Sequence, residues 1–393
     1  MKKWIWFAVV AGLLLLAWRT QGRSLDRMGE RRFETLRRPS AETLVGVCWP
    51  LSVNHDGAVD GLLLARDQIN ARSRANGRSI RLAIKDDGGD WETSKRIAVD
   101  FADTPEMSAV IGYYDDAPAA KASAIYETSR LLHLIIGANS TTMTAHGFRY
   151  LVRTVVSSEK IALSLAQLSV DRGYKKFAVI WEEDAYGEDL AYQFRVGLDS
   201  LDARMVYQWS YFRERADFRE PVNQLKGVDA DVIFFAGLEP WAGDFLRAAR
   251  AAGLSTPVIG AFSDTPEMRQ RAGKGLEGAM YFDFYNVDSP RPANQAFVQT
   301  FQARYGHPPD TYAAQGYDAL EILANALQST GSRNPLDLSY AIRFMNPWDG
   351  ANGRYKFDAT GELDDKPLYL KMFQRGEPVT VQVIRPAPKP AGR

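Results

Sequence analysis

Apolar and polar positions along residues 43–284 follow two periods that alternate regularly. Residues 43–49 form a short apolar run that stops at Pro50 and a polar loop. From Gly57 to Ala71, Val59, Leu62, Leu63, Ala65 and Ile69 recur at the spacing of one buried helical face. Residues 80–84 alternate and then meet Asp86-Asp87-Gly88-Gly89-Asp90, a turn cluster. The pattern predicts a helix over 91–101, a buried strand over 108–112, a helix over 117–129 and a strand over 131–136. It restarts at Phe177. Strands over 177–181, 205–209, 232–236 and 257–260 alternate with helices over 188–201, 218–225 and 241–252. Two such series predict an α/β protein with two open, mainly parallel sheets and helices on both faces. Helices over 292–305 and 311–327 follow, then a β-rich ending at 353–357 and 368–373. The Pro-rich basic tail, 385–393, is expected to be disordered.

The amino terminus reads differently. Lys2 and Lys3 precede an apolar run from Trp4 to Trp18 that ends at Arg19, the form of an export signal. As a helix this run is about 22 Å long, short of a bilayer interior of about 30 Å. The following residues, Ala17-Trp18-Arg19-Thr20, hold no small-x-small cleavage site, and no cysteine follows to carry a lipid. Residues 1–18 are therefore expected to be an uncleaved signal anchor, a transmembrane helix tethering an extracytoplasmic protein to the inner membrane. A cleaved signal peptide is the alternative. Seven arginines between 19 and 38 face Asp26, Glu30 and Glu34, a basic flank that works against translocation. Leu25, Met28, Phe33 and Leu36 fall near helical spacing, so 19–41 reads as a short stalk helix or a solvated basic linker.

Composition narrows the function classes. Over 393 residues, 46% hydrophobic and 24% charged residues are usual for a soluble globular protein. A mean hydropathy of −0.28 excludes a multi-span membrane protein. Lys+Arg and Asp+Glu both number 48, so no bulk basic charge argues for nucleic acid. Cys48 is the single cysteine and the four histidines are scattered, which leaves no disulfide, no CxxC pair and no His-built metal site. Gly273-Lys-Gly-Leu-Glu-Gly278 matches GxGxxG, but it precedes a strand-like run instead of opening a helix, so no dinucleotide cofactor is implied. No nucleophile–base pair stands out, and the expectation is a protein without catalysis or cofactor.

Ligands of open α/β sheets bind beyond the carboxyl ends of the strands. Those loops hold residues 50–56, 113–116 and 137–142 in the first half, and 182–186, 237–241 and 261–264 in the second. They mix hydroxyls, amides, carboxylates and aromatic rings. Two lobes with such rims face to face form a cleft that closes on a small molecule.

Several segments carry a resemblance in order along residues 43 to about 375. They are Val45–Ser52 (VGVCWPLS) with Asp60-Gly61, Asp86-Asp87, Ala122–Tyr126 (ASAIY), Gly137–Thr144 (GANSTTMT) and Arg153-Thr154. Tyr186-Gly187, Arg247–Gly253 (RAARAAG), Leu276–Gly278 (LEG) and Tyr317-Asp318 complete the set. Together they resemble the type I periplasmic solute-binding proteins of the leucine/isoleucine/valine-binding family, the substrate-binding components of ABC transporters. The resemblance implies two Rossmann-like, doubly wound lobes joined by a three-crossover hinge and closing like a venus flytrap. Lobe 1 would take 42–155 and 285–350, lobe 2 156–284 and 351–384. It also implies delivery to an ABC permease, or signalling to a membrane sensor partner without transport.

The departures from the family pattern bear on the ligand. In its amino-acid binders a Ser after the third strand holds the ligand carboxylate; here the aligned residue is Asp116, an anion that would repel it. The acid that holds the α-ammonium aligns with Phe262, with Asp264 two residues on, and the fourth-strand hydroxyl is replaced by Asn139, followed by Ser140. Tyr186 keeps the family's aromatic, while Leu238 replaces another, with Trp241 close behind. A zwitterionic branched-chain amino acid is thus a poor candidate. Asp116 with Asp115 and Tyr114 suits a cationic, amide-like or polyhydroxylated solute. The residues expected to bind it are Ser52, Asn54, Asp116, Ala138, Asn139 and Ser140 on the first rim and Tyr186, Glu239, Phe262 and Asp264 on the second. Backbone amides at 138–140 would orient it, and Tyr186 would cover it.

Overall fold

The computed structural model describes residues 25–51, 57–73, 78–364 and 366–385. The first part of the chain runs α1 (25–36), β1 (Glu42–Trp49), α2 (Ala58–Ser73), β2 (Ser79–Asp86), α3 (Trp91–Ala102), β3 (Met107–Gly112), α4 (Asp116–Thr128), β4 (Leu132–Ile135), α5 (Thr142–Ala145) and β5 (Leu151–Arg153). Its strands form one parallel sheet in the order β2-β1-β3-β4-β5. Strands β1, β3 and β4 are buried almost throughout, as parallel strands covered on both faces require, which is why they read as unbroken apolar runs.

The second series is α6 (Ser158–Asp171), β6 (Lys176–Glu182), α7 (Ala185–Asp199), β7 (Arg204–Tyr211), α8 (Arg219–Leu225), β8 (Val232–Ala236), α9 (Trp241–Ala251), β9 (Val258–Gly260), α10 (Pro266–Ala272) and β10 (Met280–Asp283). The chain then returns to the first lobe as α11 (Pro292–Tyr305), α12 (Thr311–Thr330) and α13 (Pro335–Arg343). Helix α12 lies against α2 so closely that a Cβ on Gly61 would sit 2.0 Å from the Ala313 carbonyl oxygen. The hairpin β11 (Trp348–Gly350) and β12 (Gly353–Tyr355) leads back to β13 (Leu368–Gln374) and β14 (Glu377–Ile384). These two strands run antiparallel on one edge of the second sheet, whose order is β14-β13-β10-β9-β8-β6-β7. Patterning misses β5, α5, α6, α10, α13, β11 and β14. Strand β14 is half exposed and β5 and β11 span three residues each, too short for a period to register.

Buried polar groups hold the crossings between the lobes. Arg153, at the end of β5, forms an ion pair with Glu362, and both are almost fully buried. Lys160 on α6 donates to the carbonyls of Leu363 and Asp364. Asp318 on α12 accepts from the amides of Ala351 (2.8 Å) and Asn352 (2.7 Å), which fixes the β11–β12 hairpin to the first lobe.

Of the two readings of 19–41, a short stalk helix or a solvated basic linker, residues 25–36 take the helical one, packed on the first lobe. They form α1, with Met28 and Leu36 buried and Phe33 exposed. Arg32 is fully buried, and its guanidinium donates to the carbonyls of Met107 (3.1 Å), Phe101 (3.2 Å), Ala102 (2.6 Å), Thr104 (3.1 Å) and Ser129. Helix α3 leaves its last carbonyls without intrahelical partners, and Arg32 supplies the donors. Burial lowers its pKa to about 10, so it stays charged. The expected signal segment 1–18 and residues 386–393 of the tail lie outside the described residues, as do Ser52 and Asn54. Among the described residues no helix is long and apolar enough to cross a membrane, and no group of three metal-ligating side chains occurs.

Candidate ligand-binding cleft

The carboxyl ends of the two sheets face each other. Ser158 and Glu159, at the start of α6, bond Asn139 and Thr141 beside the hinge, and two more direct hydrogen bonds cross farther out. Tyr114, in the loop after β3, donates from its hydroxyl to Glu239 Oε1, in the loop after β8 (3.3 Å). The Thr141 amide donates to Asp189 Oδ2 on α7 (2.9 Å). Glu239 is held in place because its Oε2 accepts from the Ser263 amide at 2.9 Å. Gly112 makes the turn that aims Tyr114. Its φ is +152°, and a Cβ there would lie 2.3 Å from the Cys48 carbonyl oxygen, so no other residue fits without displacing β1.

Three rings of the first lobe form an aromatic wall. Trp49, the last residue of β1, meets Tyr114 edge-on at 5.5 Å and Tyr312 at 5.6 Å, and the two tyrosines are 5.4 Å apart. From the second lobe, Tyr186 at the start of α7 is fixed by donating its hydroxyl to the Ala261 carbonyl (2.9 Å).

Carboxylates dominate what remains. Asp116 opens α4, and its Oδ1 accepts from the amides of Asn139 (2.6 Å) and Ser140 (2.9 Å). Its Oδ2 is buried without a partner. Burial raises the Asp116 pKa to about 6, although the two amides and Arg153 pull it down. Asp115 precedes it without capping the helix, and burial raises it to about 6 as well, with Arg213 pulling down and Asp184, Asp87 and Glu182 pushing up. Asp184 caps α7 through the Gly187 amide (2.7 Å), yet burial holds it too near 6. Arg213 bonds Glu182 at 2.6 Å and approaches Asp184 at 3.6 Å.

The sequence profile of the periplasmic binding protein family matches residues 50–376. The chain belongs to that family. Two relatives are an amino acid binding protein of Pseudomonas aeruginosa, 26% identical over 84% of this chain and 93% of its own length, and the leucine-specific-binding protein of Salmonella typhimurium, 27% identical over 83% and 87%. Among solved structures, an ABC transporter substrate-binding protein from Desulfitobacterium hafniense in complex with Leu superposes with a TM-score of 0.78, at 29% identity over 86% of this chain and 100% of the other. A solute-binding protein from R. palustris in complex with benzoate has the same TM-score at 20% identity over 89% and 98%, a likeness of fold. The fold is thus that of the type I periplasmic binding proteins, whose members bind solutes outside the cytoplasm and catalyse no reaction.

In this binding protein the expected rim residues separate into two sets. Asp116, Ala138, Asn139 and Ser140 come together on the first lobe and face Tyr186 and Glu239 on the second. Phe262 turns into the second lobe's core and stacks on Tyr281 at 5.5 Å. Asp264 forms a two-point ion pair with Arg269 (2.6 and 2.7 Å). The backbone amides at 138–140 do not stand free to orient a solute. Ala138 N donates to the Tyr113 carbonyl (3.1 Å), and the other two are taken by Asp116. Sequence reading missed Tyr312, which reaches the cleft from a helix far along the chain, and Arg213, which follows two residues of β7 that the predicted strand left out. A β7 read through to Tyr211 would have flagged Arg213.

The three carboxyls near 6 make stability depend on pH. Each has a folded-state pKa above its usual value, so the folded protein binds more protons than the unfolded chain between about pH 4 and 6. Their contribution to stability is therefore fully present below about pH 4 and lost as pH rises through 6. Asp115→Asn and Asp184→Asn are expected to make the melting temperature fall less between pH 5 and pH 7.5 than it does in the unaltered protein; an unchanged difference, read by calorimetry, would show that these carboxyls titrate as ordinary ones.

Proposed function

We propose that this chain is an extracytoplasmic solute-binding protein that captures a small polar solute by lobe closure and presents it to an ABC-type permease. The observation that carries the reading is the pair of cross-lobe bonds, Tyr114–Glu239 and Thr141–Asp189, between two rims lined with aromatic and carboxylate groups. The relatives named for amino acids and leucine support a solute of amino-acid size. The apolar segment 4–18 suits export, with retention at the inner membrane if it is not cleaved. Trp49, Tyr114, Tyr186 and Tyr312 would enclose the solute, and Asp116 and Glu239 would orient it.

The test is a thermal-shift screen over amino acids, amides, polyamines and short acids, followed by scattering on any compound that stabilises the protein. A solute at a hundred times its Kd adds about 2.7 kcal/mol, a shift easily read. Compaction with the same compound supports lobe closure, and a folded protein that responds to nothing in the panel argues against the reading. Tyr114→Phe removes one cross-lobe bond worth about 0.5–1.5 kcal/mol. It is expected to weaken the solute by up to about tenfold with little change in unfolding of the empty protein, measured by calorimetry.

A further inference from the structure

The geometry points to an organic cation without a free carboxylate as the solute, with Asp116 occupying the place that a solute's own carboxylate would take. This rests on the reading of the cleft as a solute site.

The amides of Asn139 and Ser140 converge on one point at the end of β4, with the Arg153 guanidinium below bonded to the Ser140 carbonyl. Two converging N–H groups backed by a cation make an anion-binding concavity. Asp116 Oδ1 fills it from within the chain. A solute carboxylate arriving there would lose those donors and meet a second anion in a site closed to water, where repulsion is least screened. The carboxylate's other oxygen, Oδ2, is left as a buried acceptor without a donor.

A second buried group is also unmatched. Gln315 lies one turn along α12 from Tyr312 on the same face, is 1% exposed, and has neither its amide oxygen nor its nitrogen partnered. Buried polar atoms in native proteins have partners as a rule. A lone acceptor at Asp116 and an open donor–acceptor pair at Gln315 mark positions for polar groups of a bound molecule, with N–H donors wanted at the first. The wall of Trp49, Tyr114 and Tyr312 offers ring faces suited to a cation. Among the described residues of the cleft, the carboxylates of Asp115, Asp116, Asp184, Glu182 and Glu239 outnumber the guanidinium groups of Arg213 and Arg153, so a cationic guest relieves a charge excess that a zwitterion leaves in place.

The experiment is isothermal titration of the full-length chain at pH 7.5 with leucine, isoleucine and valine, and with leucinamide, isoamylamine and agmatine. At least one of the last three is expected to bind about tenfold or more tightly than leucine. Asp116→Asn keeps an acceptor for the two amides and removes the charge; it should weaken that cation by about tenfold or more without lowering the melting temperature. Asp116→Ser should do the same and admit leucine. Gln315→Met should weaken the cation while leaving the empty protein as stable or more so, because it removes two unpartnered buried atoms. Leucine binding as tightly as leucinamide with Asp116 intact, or a cation indifferent to Asp116→Asn, overturns the inference and leaves the binding-protein reading standing. No binding by any of the six, in a folded protein, overturns the inference, and silence also in the wider screen takes the binding-protein reading with it.

Discussion

Arg32→Leu is expected to lower the stability of the first lobe by about 3 kcal/mol or more. Leucine fills part of the space but donates nothing. The carbonyls of Phe101, Ala102, Thr104, Met107 and Ser129 would then lie buried under α1 with a hydrophobic cap. They end α3, open β3 and follow α4, so the fault spreads over three elements. Either α1 undocks and exposes Met28 and Leu36, or water enters beneath it. A loss of this size shifts the melting temperature by about 6–12 °C. Arg32→Lys should recover less than half, because an ammonium is a point donor that cannot bridge carbonyls fanned around a planar fork. Denaturant unfolding and calorimetry measure both. A shift under about 2 °C for Arg32→Leu would mean that α1 is not seated on the lobe.

Glu362→Leu is expected to cost about 3–5 kcal/mol, because it leaves the Arg153 guanidinium charged and buried without its counter-ion. Arg153→Leu should cost a similar amount, and the double replacement less than the sum of the two. A double-mutant cycle then yields the coupling directly. The two single variants should differ in solute binding. Arg153 also donates to the Ser140 carbonyl and draws down the Asp116 pKa. Arg153→Leu therefore loosens the loop at 139–140 and raises Asp116 further, whereas Glu362→Leu leaves both contacts in place. Equal affinities in the two variants would detach the hinge pair from the cleft. Strict additivity would mean that the pair contributes nothing as a pair.

Much of the fold was legible because burial on both faces of a parallel sheet forces a composition. Strands β1, β3, β4, β6 and β8 are almost wholly buried, and each is a run of apolar residues bounded by turn chemistry. Helix α9 alternates with the same clarity, its buried Ala242, Phe245, Leu246 and Ala249 at helical spacing. Where a segment is short or half exposed, as in β5, β11 and β14, the constraint relaxes and the pattern fades. Arg32 shows the limit from the other side. Among the described arginines of residues 25–38, only Arg32 is buried; it lies four residues from both Met28 and Leu36, on the buried face of α1, but nothing local says what it bonds. Its partners lie 69–97 positions away.

The candidate site divides in the same way. The chain order of strands and helices placed the loops at 113–116, 137–142, 182–186 and 237–241 on the two rims, and the family resemblance singled out the residue at 116. All of that is one-dimensional information: period, order, and residue type at a position. Tertiary packing alone decided which donors and acceptors remain free. It spent the amides at 138–140 on Tyr113 and Asp116, folded Phe262 into the core, paired Asp264 with Arg269, and brought Tyr312 to Trp49 across more than two hundred residues. Hydrophobic burial is additive along the chain and leaves its mark on composition. A hydrogen bond or ion pair is a relation between two groups, and its geometry exists only after distant segments have met.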